Sequence, residues 1–347
     1  MEPIWALGLM SGTSLDGIDA ALILTDGEQI YEFGESLYVP YDADFQTQLR
    51  SQLGQQFPDP QIARQSTQHH GEVVKQLLSQ TNKPVKLIGY HGQSTFHAPP
   101  ITVQMGDGEM LARTVGVPVV YDFRTADCAA GGQGAPLVPI YHQVLFRHKN
   151  HPLVVVNIGG VANLTYSDGE VLIAGDTGPG NALINDVMLR DFGQEFDKNG
   201  QTARVGRINP NLLQQWLQDP YFSKPFPKSL DRDHFSKFLR EAQGTEGVAT
   251  LTALTVHSIL MGIDVLPKSP QEILVCGGGV KNKTLMALLG KKAAPLPDSE
   301  MIEAQAFAFL AVRVLRGLPT SFPTTTGCRV PVCGGRLVYP ESFSTQR

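Results

Sequence analysis

The run Gly8-Leu9-Met10-Ser11-Gly12-Thr13-Ser14-Leu15-Asp16-Gly17-Ile18-Asp19 decides the fold. Ile4 to Met10 is a short apolar run, and Ile18 to Leu24 is a second. Apolar runs of this length bounded by glycine read as buried strands that end in turns. The pair therefore predicts a β-hairpin with a connection rich in glycine and hydroxyls. Glycine lets the backbone approach a ligand and lets successive N–H groups converge on it. Thr13 and Ser14 add donors, so an anion such as a polyphosphate is the natural guest. The P-loop pattern Gly-x-x-x-x-Gly-Lys-Ser/Thr does not occur. A Rossmann fingerprint needs Gly-x-Gly-x-x-Gly between a strand and a helix, and this loop joins two strands. The reading is a phosphate-gripping hairpin.

The same grammar recurs outward from this loop. Lys86 to Tyr90 and Val117 to Tyr121 read as strands. A second set follows at Leu153 to Ile158, Ala162 to Tyr166 and Glu170 to Ala174, with Ile273 to Cys276 later. Helices are predicted at Phe45 to Leu53, Gln61 to Thr81, Asn181 to Phe192, Thr250 to Val265, Asn282 to Leu289 and Glu300 to Arg316. The first two are polar and Gln-rich, and His69-His70 reads as solvated surface. The last is apolar around most of its circumference and so predicted to be buried. Two strand-rich openings, each followed by helices, predict an α/β chain of two similar halves, 1–145 and 146–347. The polar break Phe146-Arg147-His148-Lys149-Asn150 marks the boundary.

Composition bounds the rest. The chain has 347 residues, enough for two domains. Its 42% hydrophobic content is too high for a disordered chain. A net charge of −5 gives no electrostatic reason to expect nucleic acid or an anionic membrane as partner. No run approaches the ~18 apolar residues of a membrane helix. The first residues do not resemble a signal peptide. Four cysteines match no zinc spacing and are too few to staple the chain. A soluble cytoplasmic protein is expected.

Three loops carry the candidate chemistry: Ser11 to Gly17, Gly175 to Asn181 and Gly277 to Asn282. Asp176 follows an apolar strand and precedes a helix. A carboxylate there can act as general base or cap the helix. Asp16 can hold a metal-bound water, meet substrate, or serve the turn. Arg124 can grip a carboxylate in a fork or pair with Asp127. His91 ends a strand, where ligands gather in α/β sheets, or is structural. Glu303 sits in the apolar last helix and needs a partner or a function.

The opening run closely resembles that of 1,6-anhydro-N-acetylmuramic acid kinases. Asp122-Phe123-Arg124, Gly131-Gly132-Gln133-Gly134-Ala135-Pro136, Asn157-Ile158-Gly159-Gly160-Val161-Ala162-Asn163-Leu164 and Gly175-Asp176-Thr177-Gly178-Pro179-Gly180-Asn181 match as well. Asp197-Lys198-Asn199-Gly200, Lys228-Ser229 and Cys276-Gly277-Gly278-Gly279 follow in the family's order, so the resemblance covers essentially the whole chain. It implies two ribonuclease-H-like, actin-like ATPase domains with ATP in an interdomain cleft. It implies an enzyme that opens the 1,6-anhydro bridge with water and phosphorylates O6, using ATP and Mg²⁺, in bacterial cell-wall recycling. By residue, it implies that Gly12, Thr13, Ser14, Leu15, Asp16, Gly17, Ile18 and Asp19 hold ATP phosphates. Asp176 is then the catalytic base, and Gly277, Gly278 and Gly279 lie beneath the adenosine. Arg124, His91, Glu303, Thr177 and Gly178 are substrate candidates, and Asp16 is the metal candidate. A homodimer is implied. A kinase for another small sugar or carboxylate, or a non-catalytic actin- or Hsp70-like switch, are the alternatives.

Overall fold

The computed structural model describes residues 1–12, 14–231, 233–297 and 299–340. Two compact units divide it. One holds Met1–Leu145 with the segment beginning at Glu300, and the other is Phe146–Ser299.

In the first unit, β1 (Ile4–Ser11), β2 (Gly17–Thr25) and β3 (Ile30–Pro40) form an antiparallel meander. β4 (Val85–Ala98) pairs parallel to β1 and makes a hairpin with β5 (Ile101–Met105), and β6 (Val119–Tyr121) pairs parallel to β4. In the second unit, β7 (Leu153–Ile158), β8 (Val161–Ser167) and β9 (Leu172–Pro179) form another meander. β10 (Glu272–Cys276) runs parallel to β7, and β11 (Ala293–Pro295) parallel to β10. Near the end of the chain, β12 (Arg336–Val338) adds to β6. The order β6-β4-β1-β2-β3 is thus repeated as β11-β10-β7-β8-β9. This is the ribonuclease-H-like plan twice over, as the family resemblance implies. β3 escaped that reading because it is an edge strand with exposed Tyr31, Phe33 and Tyr38, and has no continuous apolar run.

Residues 300–340 do not belong to the second half, where the sequence reading puts them. The helix Ile302–Leu315 packs on β1, β2 and β4 of the first unit. Its residues Ala304, Ala306, Phe307, Ala308, Phe309 and Leu310 are fully buried. Glycines on the sheet make the seat. A Cβ on Gly8 would overlap the Ala304 carbonyl oxygen, and one on Gly89 the Phe307 carbonyl oxygen. The helix therefore lies closer to β1 and β4 than a side chain would allow.

Two further expectations are corrected, and one helix needs its burial to be read. Gly175 to Pro179 is strand, not loop, because β9 continues to Pro179 across a register shift opposite Ala162 and Asn163. His70 is fully buried, because the helix Pro60–Ser79 turns Ser66, Thr67, His70, Val73, Val74 and Leu77 inward on a helical spacing. The helix Gly244–Asp264 has the length and mean hydropathy of a membrane span, but it is mostly buried in the second unit against β8, β9 and the helix Ala182–Phe192.

Candidate active site

In the first unit, the β1–β2 connection is anchored by its apolar residues. Leu15 and Ile18 are buried, and Leu15 takes a left-handed φ of 59°. Leu15 N donates to Gly12 O at 3.2 Å, and Gln93 Nε2 donates to the same oxygen at 3.1 Å. Ser11 Oγ donates to Gln93 Oε1 at 2.7 Å. Leu15 and Ile18 thus have side chains committed to the core, and only their backbone can meet a ligand. Gly17 is likewise packed, against Val39 and Tyr38. The polar residues face out: Asp16 is exposed, with Ser14 Oγ donating to its Oδ1 at 2.6 Å. Thr13 lies outside the described residues.

Asp19 is half-buried on β2, and its carboxyl is pushed up to about 7. Burial is the main cause, and the negative charges of Asp16, Glu303 and Glu300 add to it. Glu303, at the start of the helix Ile302–Leu315, is also pushed up by burial, while Arg124 pulls it down. The close seat of that helix thus brings Glu303 toward Asp19.

His91 and Arg124 meet. His91 Nδ1 donates to Gly92 O at 2.8 Å, so Nε2 is the bare nitrogen, and it accepts from Arg124 Nε at 3.0 Å. Burial and then the Arg124 charge hold His91 well below its ordinary range, so it is neutral. Arg124 Nη1 donates to Gly134 O at 2.7 Å. Arg124 and Asp127 form no ion pair among the described residues, because Asp127 is buried and accepts from Gly134 N, Thr326 Oγ1 and Ser321 Oγ instead. His91 thereby orients the guanidinium. It also borders a cavity of about 230 Å³ lined by Gln104, Tyr121, Asp122 and Thr125.

In the second unit, Asp176 stands within β9, opposite Asn163 of β8. It is held at three atoms by the segment 221–230. Its N donates to Lys228 O at 2.8 Å, its O accepts from Tyr221 Oη at 3.0 Å, and its Oδ2 accepts from Leu230 N at 2.7 Å. Oδ1 has no hydrogen-bond partner among the described residues. Burial pushes the carboxyl up to about 7, while the Leu230 amide and Lys228 pull it down. A carboxylate that titrates near neutrality and keeps one oxygen free can take a proton from water or a hydroxyl.

Thr177 and Gly178 turn away from such chemistry. Thr177 is buried and its Oγ1 donates to Ala162 O at 3.1 Å. Gly178 is packed against Ser258 and Phe222, leaving no room for a Cβ. Side chains alternate along a strand, so the neighbour of an outward Asp176 points into the core. We therefore assign both to packing rather than to substrate.

The third loop follows β10. Gly277 has φ 77°, and a Cβ there would overlap Asn157 Oδ1. Gly279 is packed on Ile158, and Gly278 faces Asn181. A cavity of about 460 Å³ opens beside Gly278, lined by Asn181, Asn185, Phe196, Asp197 and Lys281.

Two features escaped the sequence reading. Gly159 and Gly160 form the tip of the β7–β8 hairpin, the topological counterpart of Ser11 to Gly17. Their carbonyls accept from the N–H groups of Gly180, Asn181 and Ala182, so the start of the helix Ala182–Phe192 is already satisfied. The signal was present: glycine follows the first strand of each strand set, at Gly12 and at Gly159-Gly160. The other is the role of Lys228, which the sequence reading quoted only within the family match and which its bonds to Tyr221 and Phe222 reveal.

The repeated sheet plan places the chain in the actin-like ATPase class of folds. The sequence matches the anhydro-N-acetylmuramic acid kinase family over residues 4–340. The chain belongs to that family. It is 45% identical to an anhydro-N-acetylmuramic acid kinase of Rhodopseudomonas palustris, over 96% of this chain and 99% of the relative. It is 47% identical to one of Rhodospirillum rubrum, over 96% and 93%. Among solved structures, (R)-2-hydroxyglutaryl-CoA dehydratase component A of Acidaminococcus fermentans is 10% identical, with a TM-score of 0.47 over 89% of this chain and 98% of that one.

Proposed function

We propose that this chain uses ATP and water to convert 1,6-anhydro-N-acetylmuramic acid into N-acetylmuramic acid 6-phosphate and ADP. The observation that supports this most directly is Asp176, half-buried with a titration near 7 and one unpartnered oxygen, in a chain of this family. In this reading Asp176 takes a proton from the water that attacks C1. The C1–O6 bond breaks, O6 bonds to the γ-phosphorus, and the bond from that phosphorus to the bridging oxygen of ADP breaks. Glu303 and Arg124 hold the sugar, with His91 orienting Arg124. Gly12 to Asp19 supply backbone and hydroxyl donors to the phosphates, and Gly277 to Gly279 flank the adenosine.

Phosphoryl transfer is mostly positioning and charge neutralisation, and Mg²⁺ supplies the latter. Among the described residues no three His, Cys, Asp or Glu side chains could cage a metal. That fits Mg²⁺, which keeps most of its waters and takes one or two carboxylates plus substrate phosphates. Exposed Asp16 suits that role. The family resemblance further supports a homodimer in the bacterial cytoplasm, for which sedimentation and fractionation are the checks.

The test is incubation with ATP, Mg²⁺ and the anhydro sugar, following ADP and the 6-phosphosugar. In H₂¹⁸O the label should enter at C1. A folded protein that yields no product overturns the proposal. Product without label overturns the hydrolytic step.

A further inference from the structure

The strap that grips Asp176 carries a cation bonded to its own backbone. Lys228 Nζ donates to the carbonyls of Tyr221 and Phe222, both at 3.2 Å, and so closes the segment 221–228 on itself. The ammonium stands 4.8 Å from the centre of the Tyr221 ring and 5.3 Å from that of Phe226. The same Tyr221 donates to Asp176 O, and the Lys228 carbonyl accepts from Asp176 N. Two of the three bonds on Asp176 thus come from residues that Lys228 itself ties together. No ion pair joins Lys228 and Asp176 among the described residues, so the ammonium acts on the carboxylate from beyond contact distance.

We propose that Lys228 is the positioning residue of the catalytic carboxylate, locking the strap that aims Asp176 and supplying the positive charge that keeps it ionised. This deepens the function proposed above and rests on Asp176 being the base. The electrostatics agree. Lys228 pulls Asp176 down, while burial and then Lys224 lower Lys228 to about 8. Among the groups around Asp176, Tyr221 is pushed up by burial and by Asp176 and stays neutral. Lys224 and His234 both lie against Tyr221. The opposing strand contributes uncharged Asn163, and the covering helix contributes Ser258 beside Gly178. Lys228 is therefore the cation whose charge lowers this carboxyl.

The experiment compares K228M, K228R and D176N in the full chain, with ATP, Mg²⁺ and the anhydro sugar, as pH profiles of kcat and kcat/KM. Loss of the charge should move the acid limb of K228M up by about half a unit or more and cut kcat about tenfold at pH 7. KM for ATP should stay within about twofold. K228R should return the limb to its original position and recover most of kcat. A K228M limb at the wild-type midpoint overturns the proposal even if kcat falls, because strap damage alone changes rate without changing titration. If K228M does not fold, K228R carries the test, and a displaced limb there overturns it. An inactive D176N with an unmoved K228M limb sinks this inference alone. An active D176N sinks the base assignment and this inference with it.

Discussion

Asp19 and Asp176 are two carboxylic acids that burial pushes up to about 7 in opposite electrostatic surroundings. Each lies on a strand of a ribonuclease-H-like sheet, Asp19 on β2 of the first unit and Asp176 on β9 of the second. Asp19 is pushed up by burial and then by other carboxylates, and none of its neighbours opposes the rise. Asp176 is pushed up by burial alone, against an amide and a lysine that pull it down. The first environment holds the proton, because its neighbouring carboxylates repel the anion. The second suits a base, because the proton can be lost at neutral pH and the anion is received by a preset N–H and a positive charge.

The largest expected effect breaks the comparison on the second side. Asp176→Asn should cut turnover about 10²- to 10⁴-fold and leave ATP binding largely intact, measured by ADP release and by nucleotide titration. Near-normal turnover would remove Asp176 from the base role. In the wild type, kcat/KM should rise between pH 5 and 8 with a midpoint near 7.

Next comes the way each carboxylate is held beside a long apolar helix. Gly8 meets helix backbone at Ala304, whereas Gly178 meets the Ser258 side chain. Backbone cannot step aside, so Gly8→Ala should destabilise by about 1–3 kcal/mol and Gly178→Ala by less. Denaturant melts of both variants decide this, and equal losses would contradict the close seat on β1.

The third prediction uses linkage. Asp176 has a folded-state titration raised from 3.8 to about 7. Its contribution to stability is therefore fully present below pH about 4 and is lost as pH rises toward 7. Asparagine cannot ionise, so the melting temperature of Asp176→Asn relative to wild type should climb across that window and level off above it. A difference that does not change with pH would refute the raised titration.

The smallest effect separates the two acids. Asp16→Asn removes a negative neighbour of Asp19 alone, so the Asp19 midpoint should fall by roughly half a unit while that of Asp176 stays. Carboxyl NMR titration would show it. A shift at both sites, or at neither, would mean that the charges are not partitioned as described.

Much of the fold was legible because its signals are local. Short apolar runs and glycine stops marked β1, β2, β7, β8 and β10, and the position of Asp176 after an apolar run marked it as a candidate. Edge strand β3 was not legible, since half-exposed residues carry no apolar run. Nor was the burial of His70, because the Gln-rich composition of its helix hid an inward stripe only partly built from apolar residues.

By itself the sequence determined two α/β strand sets, a glycine-hydroxyl hairpin, a family and a short roster of acids. Each of these rests on interactions within a few residues, where periodicity and turn chemistry act. Only the tertiary structure decided that the helix Ile302–Leu315 returns to β1, that His91 rather than Asp127 orients Arg124, that Thr177 faces the core, and that Lys228 closes the strap on Asp176. Those outcomes join residues from 7 to about 300 positions apart. They depend on burial and on hydrogen bonds that exist only once the chain has packed, and no local pattern encodes them.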